Sequence, residues 1–168
     1  MNTPAIYSET LSSKRTELLF AALTLLFLFL FAWRVTAGSA DWLAGVFLFL
    51  LVFFLFSTLN YRTLVIRLTS ESLKLTFGIF TWTIPLHNVG GIQPDDDLPL
   101  AMKYGGAGIH FMFVRKRYRA SFNFLEHRRV VIRLKKKAGR VKDISFSTSQ
   151  PDEVMRLILG AISADKTP

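Results

Sequence analysis

Two uninterrupted apolar runs limit this chain more than any other feature. "LLFAALTLLFLFLFAW" (residues 18–33) and "WLAGVFLFLLVFFLFSTL" (residues 42–59) contain no charged residue. A helix needs roughly 17–25 mostly apolar residues to cross the hydrocarbon core of a bilayer. The second run meets that length by itself. Glu17, Arg34 and Val35 complete the first, because charged side chains at helix ends snorkel to the interface. Both runs are apolar on every side, as a lipid-surrounded helix should be. The alternative, two buried helices of a soluble protein, would require residues 61–168 to cover more Phe and Leu than they can. The linker "RVTAGSAD" is short and polar, so the helices (about 17–35 and 42–59) must form an antiparallel hairpin spanning 16–60. Trp33 and Trp42 flank that linker at the depth where amphipathic rings settle.

Charge sets the expected orientation. Lys14 and Arg15 precede the first helix, Arg62, Arg67 and Lys74 follow the second, and only Arg34 lies between them. The positive-inside rule then puts both termini in the cytoplasm, with residues 1–15 as a cytoplasmic tail of a multi-pass inner-membrane protein. A cleaved leader ending near Gly38 and Ala40 competes with this reading. Its apolar run is long for a leader, and Arg34 interrupts the approach to the cut. The 21 Lys and Arg and 12 Asp and Glu divide unevenly, three of each sign falling before residue 61. The whole net charge of +9 therefore belongs to residues 61–168, the pattern of a membrane anchor followed by a basic domain in water. Cysteine is absent, which excludes disulfides, thiolate metal sites and thiol catalysis.

From residue 63 the apolar pattern alternates, the period of a half-buried strand. Leu64, Ile66 and Leu68 share one face, as do Leu73, Leu75 and Phe77 after the polar turn "TSES". Phe80, Trp82, Ile84 and Leu86 continue the habit. So do Ile109, Phe111 and Phe113; Phe122 and Phe124; Val130, Ile132 and Leu134; and Ile144 and Phe146. Seven short strands with turns between them predict an antiparallel β-sandwich or open barrel. Residues 87–106, with "GGIQPDDDLP" and "YGG", are rich in breakers and predict an exposed loop. A helix closes the chain. Ser149 is its expected N-cap, Pro151 and Glu153 suit the first turn, and Val154, Leu157, Ile158, Ala161 and Ile162 form one apolar stripe. The class is α+β: a transmembrane hairpin followed by a β domain over 61–168.

The segments "LVIRLTSESLKLTFGIFTWTIPLHNVGGI", "KYGGAGIHF" and "RRVVIRLKKKAGRVKDISFSTSQPDEVMRLI" carry a resemblance. Over most of residues 15–162 the chain resembles the bacterial pleckstrin-homology-like (PH-like) membrane proteins. That resemblance implies a two-helix anchor, a small domain of seven strands and a closing helix. It supplies no catalytic residues. "RKRYR" (residues 115–119) replaces the more neutral turn expected in relatives.

Residues that could carry chemistry do not converge. Asp95, Asp96 and Asp97 are adjacent, so their side chains diverge, and neither the alternating ligands nor the distal Glu of a calcium loop follows them. They read as a solvated loop. His87, His110 and His127 stand on separate turns and strands with no i, i+4 pair. "YGGAG" lacks the Lys and the following helix of a phosphate loop, and no G-x-S-x-G elbow accompanies the serines. No catalytic, metal or cofactor set emerges, and the reading is a protein that is not an enzyme.

"HRRVVIRLKKKAGRVK" (residues 127–142) is dense in Lys and Arg without a carboxylate. With Val130, Ile132 and Leu134 facing the core, Arg129, Arg133 and Lys135 share the opposite face. Lys136, Lys137, Arg140 and Lys142 crowd the next turn, and Arg115, Lys116, Arg117 and Arg119 form a second basic turn. These eleven residues are the candidate contact set. Solvated surface is the plain reading. The sharper one is a binding module for anionic lipid head groups, each cation near such a surface being worth on the order of 1 kcal/mol, or for an acidic membrane-associated protein. Nucleic acid fits poorly, because Phe122 points inward and leaves no stacking platform beside Tyr118. An accessory subunit of a larger membrane complex, its β domain a docking piece, is the alternative. Whether the two basic turns meet is a question of topology.

Overall fold

A computed structural model describes residues 4–38, 41–96, 108–124 and 126–164. Helix α1 (Lys14–Thr36, 23 residues) and helix α2 (Trp42–Asn60, 19 residues) are about 35 and 29 Å long at 1.5 Å per residue. Both are long and apolar enough to cross a membrane, and the rest of the chain buries almost none of either. Each begins on a side-chain cap. Ser13 Oγ accepts from the Thr16 N–H, and Asp41 Oδ1 from the Ala44 N–H. The helices pack through Phe27 stacked on Phe54, with ring centroids 5.3 Å apart, and through a Thr24–Thr58 hydroxyl contact of 3.2 Å. Ion pairs close both ends: Arg34 with Asp41 across the linker, and Arg62 with Glu17 at the feet.

Among the described residues the chain has nine strands rather than the expected seven, in two sheets. The first sheet runs β1 (Tyr7–Ser12), β2 (Thr63–Leu68), β3 (Ser72–Phe77) and β4 (Phe80–Pro85), all antiparallel. The second has the order β5 (Val89–Pro94), β8 (Arg128–Ala138), β9 (Val141–Thr148), β7 (Arg117–Asn123) and β6 (Gly108–Val114). Its β7–β9 pair is parallel, against the wholly antiparallel expectation. Helix α3 (Pro151–Ala164) follows β9.

Residues 7–12 are part of the domain and not a free tail. Strand β1 pairs with β2 from Tyr7↔Leu68 to Ser12↔Thr63, so the hairpin leaves the sheet between two neighbouring strands. Glu9 on β1 accepts from Thr148 Oγ1 (2.6 Å), the Ser149 N–H (2.8 Å) and the Ser149 hydroxyl. Ser149 thus gives its hydroxyl to Glu9 instead of capping α3. Burial pushes the Glu9 carboxyl up, yet the Ser149 and Thr148 donors, with the Tyr7 hydroxyl, hold it below the usual carboxylate range. Within 87–106, residues 86–88 form a single 3-10 turn and 89–94 form β5, while 97–107 lie outside the described residues.

Most of the alternating residues meet as expected, but Phe80 on β4 and Phe111 and Phe113 on β6 are exposed rather than buried. Leu64, Ile66, Leu75 and Phe77 of the first sheet and Ile132, Ile144 and Phe146 of the second are fully enclosed. Val154, Ile158 and Ile162 of α3 join the same core. Each such side chain contributes roughly 1.5–3 kcal/mol relative to exposure.

Candidate functional site: a basic rim on the second sheet

Two tight turns carry the charge. Strands β6 and β7 are joined by Arg115 and Lys116 alone, with Val114 paired to Arg117. Both turn residues lie in the left-handed region, at φ 48° and 63°. A two-residue hairpin needs positive φ to match strand twist, and Asn or Gly normally supplies it. Here two long cationic side chains occupy the strained positions and are exposed. Strands β8 and β9 are joined by Gly139 (φ 61°) and Arg140, with Ala138 paired to Val141.

The parallel pairing brings these turns together. Arg119 lies beside Asp143 and Phe122 beside Phe146, so β7 and β9 start side by side. The residues just before them, Lys116 and Arg140, therefore precede neighbouring strands and share one end of the sheet. Next to them β8 leaves its ladder. Four residues, 134–137, stand between the Arg133↔Asp143 and Ala138↔Val141 pairs, where β9 has only Lys142. Asn88 holds this bulge: its Oδ1 accepts from the Lys136 N–H (2.7 Å), and its Nδ2 donates to the Lys136 carbonyl (3.0 Å). Lys135 Nζ donates to the His87 carbonyl at 2.8 Å, and Lys136 and Lys137 are exposed. The rim is thus Arg115, Lys116, Lys136, Lys137 and Arg140, flanked by half-buried Lys142 and, further along β8, exposed Arg133.

Besides Lys135, three of the eleven candidates do other work. Arg117 grips the Asp143 carboxylate through Nε (2.8 and 2.9 Å) and Nη2 (2.7 Å), which holds its guanidinium charged further above the usual range. This pair buttresses the rim from below. Arg119 is not at the surface. Its Nη1 donates to Asp95 Oδ1 at 2.6 Å, and Ser145 Oγ donates to Asp95 Oδ2 at 2.7 Å, with the Arg119 and Asp95 side chains 7% and 0% exposed. Asp95 is therefore a buried counter-ion rather than part of a solvated loop, and Asp97 lies outside the described residues. Arg129 is half-buried near the opposite end of β8. Burial pushes its guanidinium down and the Arg119 charge adds to this, while the Asp95 carboxylate works the other way. It lines a cleft of about 600 Å³ with Asp95, Asp96, Glu126, Arg128 and Asp152. That cleft mixes both signs of charge, and no metal-competent group of three or more His, Cys, Asp or Glu occurs among the described residues.

The helix feet meet the second sheet at its other end. The Arg15 N–H donates to Glu126 Oε1 at 3.0 Å, His127 Nε2 lies 3.1 Å from the Ser12 carbonyl oxygen, and the Tyr61 ring packs over Gly108. From there β6 and β7 run seven residues each, about 23 Å, to the Arg115–Lys116 turn. The β8 bulge is distant by an independent route. It is tied to the 86–88 turn, whose Leu86 N–H donates to the Glu71 carbonyl in the β2–β3 turn, at the end of the first sheet opposite Ser12 and Thr63.

Comparison with known proteins adds no name: no protein family matches the chain, and neither a curated protein nor a solved structure matches it significantly. Sequence reasoning missed Asp95, Asp143 and Asn88, which pair, support or pin the cations. Only the Asp residues left a trace in the sequence, as acidic positions within basic surroundings.

Proposed function

We propose that this chain is a membrane-anchored, non-catalytic binding module that presents a basic rim to an acidic protein surface. In this reading α1 and α2 span the inner membrane, both termini are cytoplasmic, and the two-sheet domain with its closing helix is a PH-like module. The observation that carries it is the parallel β7–β9 pair, which gathers Arg115, Lys116 and Arg140 at the strand ends opposite the helix feet. A separation of about 23 Å along the strands exceeds the ~8–10 Å Debye length at physiological salt, so anionic head groups of the protein's own membrane attract this rim weakly. An acidic partner placed beyond the domain meets it directly, and such charge complementarity raises association rates and selects partners.

The test compares the wild-type chain with the variant Arg115→Glu, Lys116→Glu, Arg140→Glu, each extracted gently from native membranes. Wild type should retain an acidic protein that the variant loses. If both chains retain the same proteins, the rim is not the contact surface. If the variant instead loses only binding to vesicles containing anionic lipid, head groups are the ligand and the protein-partner reading is wrong.

A further inference from the structure

Six large apolar side chains outside the two helices are exposed among the described residues; two of them, Phe80 and Phe111, line one crevice, and Ile79 and Phe113 are near them along the chain. Ile79 (74% exposed), Phe80 (43%), Phe111 (53%) and Phe113 (71%) lie on the β3–β4 turn, on β4 and on β6. β4 and β6 are each an edge strand of their sheet, and between them lies a cavity of about 340 Å³ lined by Tyr61, Phe80, Thr81, Trp82, Ile109, Phe111 and Phe122. That volume falls within the roughly 300–1,000 Å³ of typical small-ligand sites. Scattered apolar residues on a surface need no explanation, but a contiguous aromatic cluster does.

The crevice is continuous with the helix feet. Tyr61 is the residue after α2. Its ring lies 5.9 Å from Phe20 of α1 and 5.1 Å from Phe77 of the core. The β3–β4 turn is fixed to the same point, because the Ile79 N–H donates to Asn60 Oδ1 at 2.8 Å. Gly78, at φ 57°, permits this approach: a Cβ there would lie 2.2 Å from the Asn60 carbonyl oxygen. Ile79 and Phe80 are thus held at the level where α2 ends, where the lipid interface begins if α2 spans the bilayer.

We propose that the β4–β6 crevice is a lipid site, taking a hydrocarbon chain from the bilayer into the cavity that Trp82 and Phe111 border. The chemistry favours a single apolar tail: the walls are mostly aromatic rings with Ile109 and Thr81, no cation lines the cavity among the described residues, and Tyr61 at the foot of α2 forms one side of it. The inference rests on the helices spanning the membrane and is independent of what the basic rim binds. It gives the domain two unlike ends, an apolar one at the bilayer and a cationic one away from it.

The experiment uses the full chain carrying Trp33→Phe and Trp42→Phe, leaving Trp82 as the sole indole, in bilayers of lipids brominated on one acyl chain. Trp82 emission should fall at least two-fold relative to the same lipid without bromine. Adding Phe80→Ser and Phe111→Ser, which opens two walls, should restore most of the emission. Unchanged emission in the brominated bilayer overturns the proposal. Equal quenching with and without the Ser substitutions also overturns it, since the domain would then merely rest on the surface. Circular dichroism establishes that the Ser variant is folded. Should it unfold, Phe111→Leu replaces it, and a wall that holds a chain then changes the quenching by a measurable fraction.

Discussion

Replacing Arg115 with Asn and Lys116 with Gly should make this protein more stable and, at the same time, a poorer binder. Both residues occupy the left-handed region, at φ 48° and 63°. A side chain with a β-carbon costs roughly 1–2 kcal/mol per residue there, a penalty Gly escapes and Asn lessens. Gly returns about 0.5–1 kcal/mol of that gain through the greater freedom of the unfolded chain. The net expectation is stabilisation of about 1–2 kcal/mol. For a domain of order 100 residues this corresponds to roughly 4–8 °C in Tm per kcal/mol. Thermal unfolding of the full chain in one detergent, followed by circular dichroism, measures the shift. Val114↔Arg117 still closes the hairpin in the variant. The same variant should lose affinity for an acidic partner. A fall in Tm would refute the reasoning, because it would mean that the turn is not strained or that the side chains support the fold. A rise in Tm with binding intact would refute the role of the turn in the rim.

Arg119→Met leaves the Asp95 carboxylate buried without its counter-ion, and removal of one partner from such a pair typically costs about 3–5 kcal/mol. The double variant Asp95→Asn, Arg119→Met should recover most of this in a chemical denaturation series, and an additive double variant would count against a coupled pair. Glu9 makes stability depend on pH. Its folded carboxyl is held below the ordinary glutamate value of 4.5, so its contribution is complete above that value and is lost as the pH falls through the lower folded value. Acid titration of Glu9→Gln should show a shallower loss below about pH 4.5 than wild type, and superimposable curves would remove Glu9 from the account. Gly78→Ala forces a β-carbon against the Asn60 carbonyl and should destabilise the chain by about 2 kcal/mol or more. Hydrogen exchange at the Ile79 amide should rise by the matching factor. Protection equal to wild type would mean that the foot of α2 tolerates the shift.

The fold brings together three features that lie far apart along the chain. The β1–β2 ladder joins residues on either side of the whole helical hairpin, so the anchor leaves the domain from two adjacent strands and not on a loose tether. Glu9 then ties β1 to the start of α3 through Thr148 and Ser149. The aromatic crevice adjoins the feet of that hairpin, and the cationic turns lie at the far ends of the second sheet.

Amino-acid order alone settled the elements whose signal is local. Length and unbroken hydropathy marked α1 and α2 to within a few residues. Period-2 alternation identified β2, β3 and β8 with their buried faces and placed β4 and β6, whose Phe80, Phe111 and Phe113 are nevertheless exposed, and a 3.6-residue stripe identified α3. Strands with weaker patterns escaped. In β1 only Leu11 is fully buried, and β5 contains two glycines among its six residues. The features that matter most for the site were decided by tertiary structure. Whether "RKRYR" and "KKKAGRVK" share an end depends on β7 and β9 being parallel neighbours, and that pairing forms between segments whose own patterns are silent about partner and direction. Likewise Asp95 and Arg119 become a buried pair only once β5 and β7 join one sheet. Side-chain periodicity states which face of a strand meets the core; the global packing of all nine strands chooses which strand lies beside which.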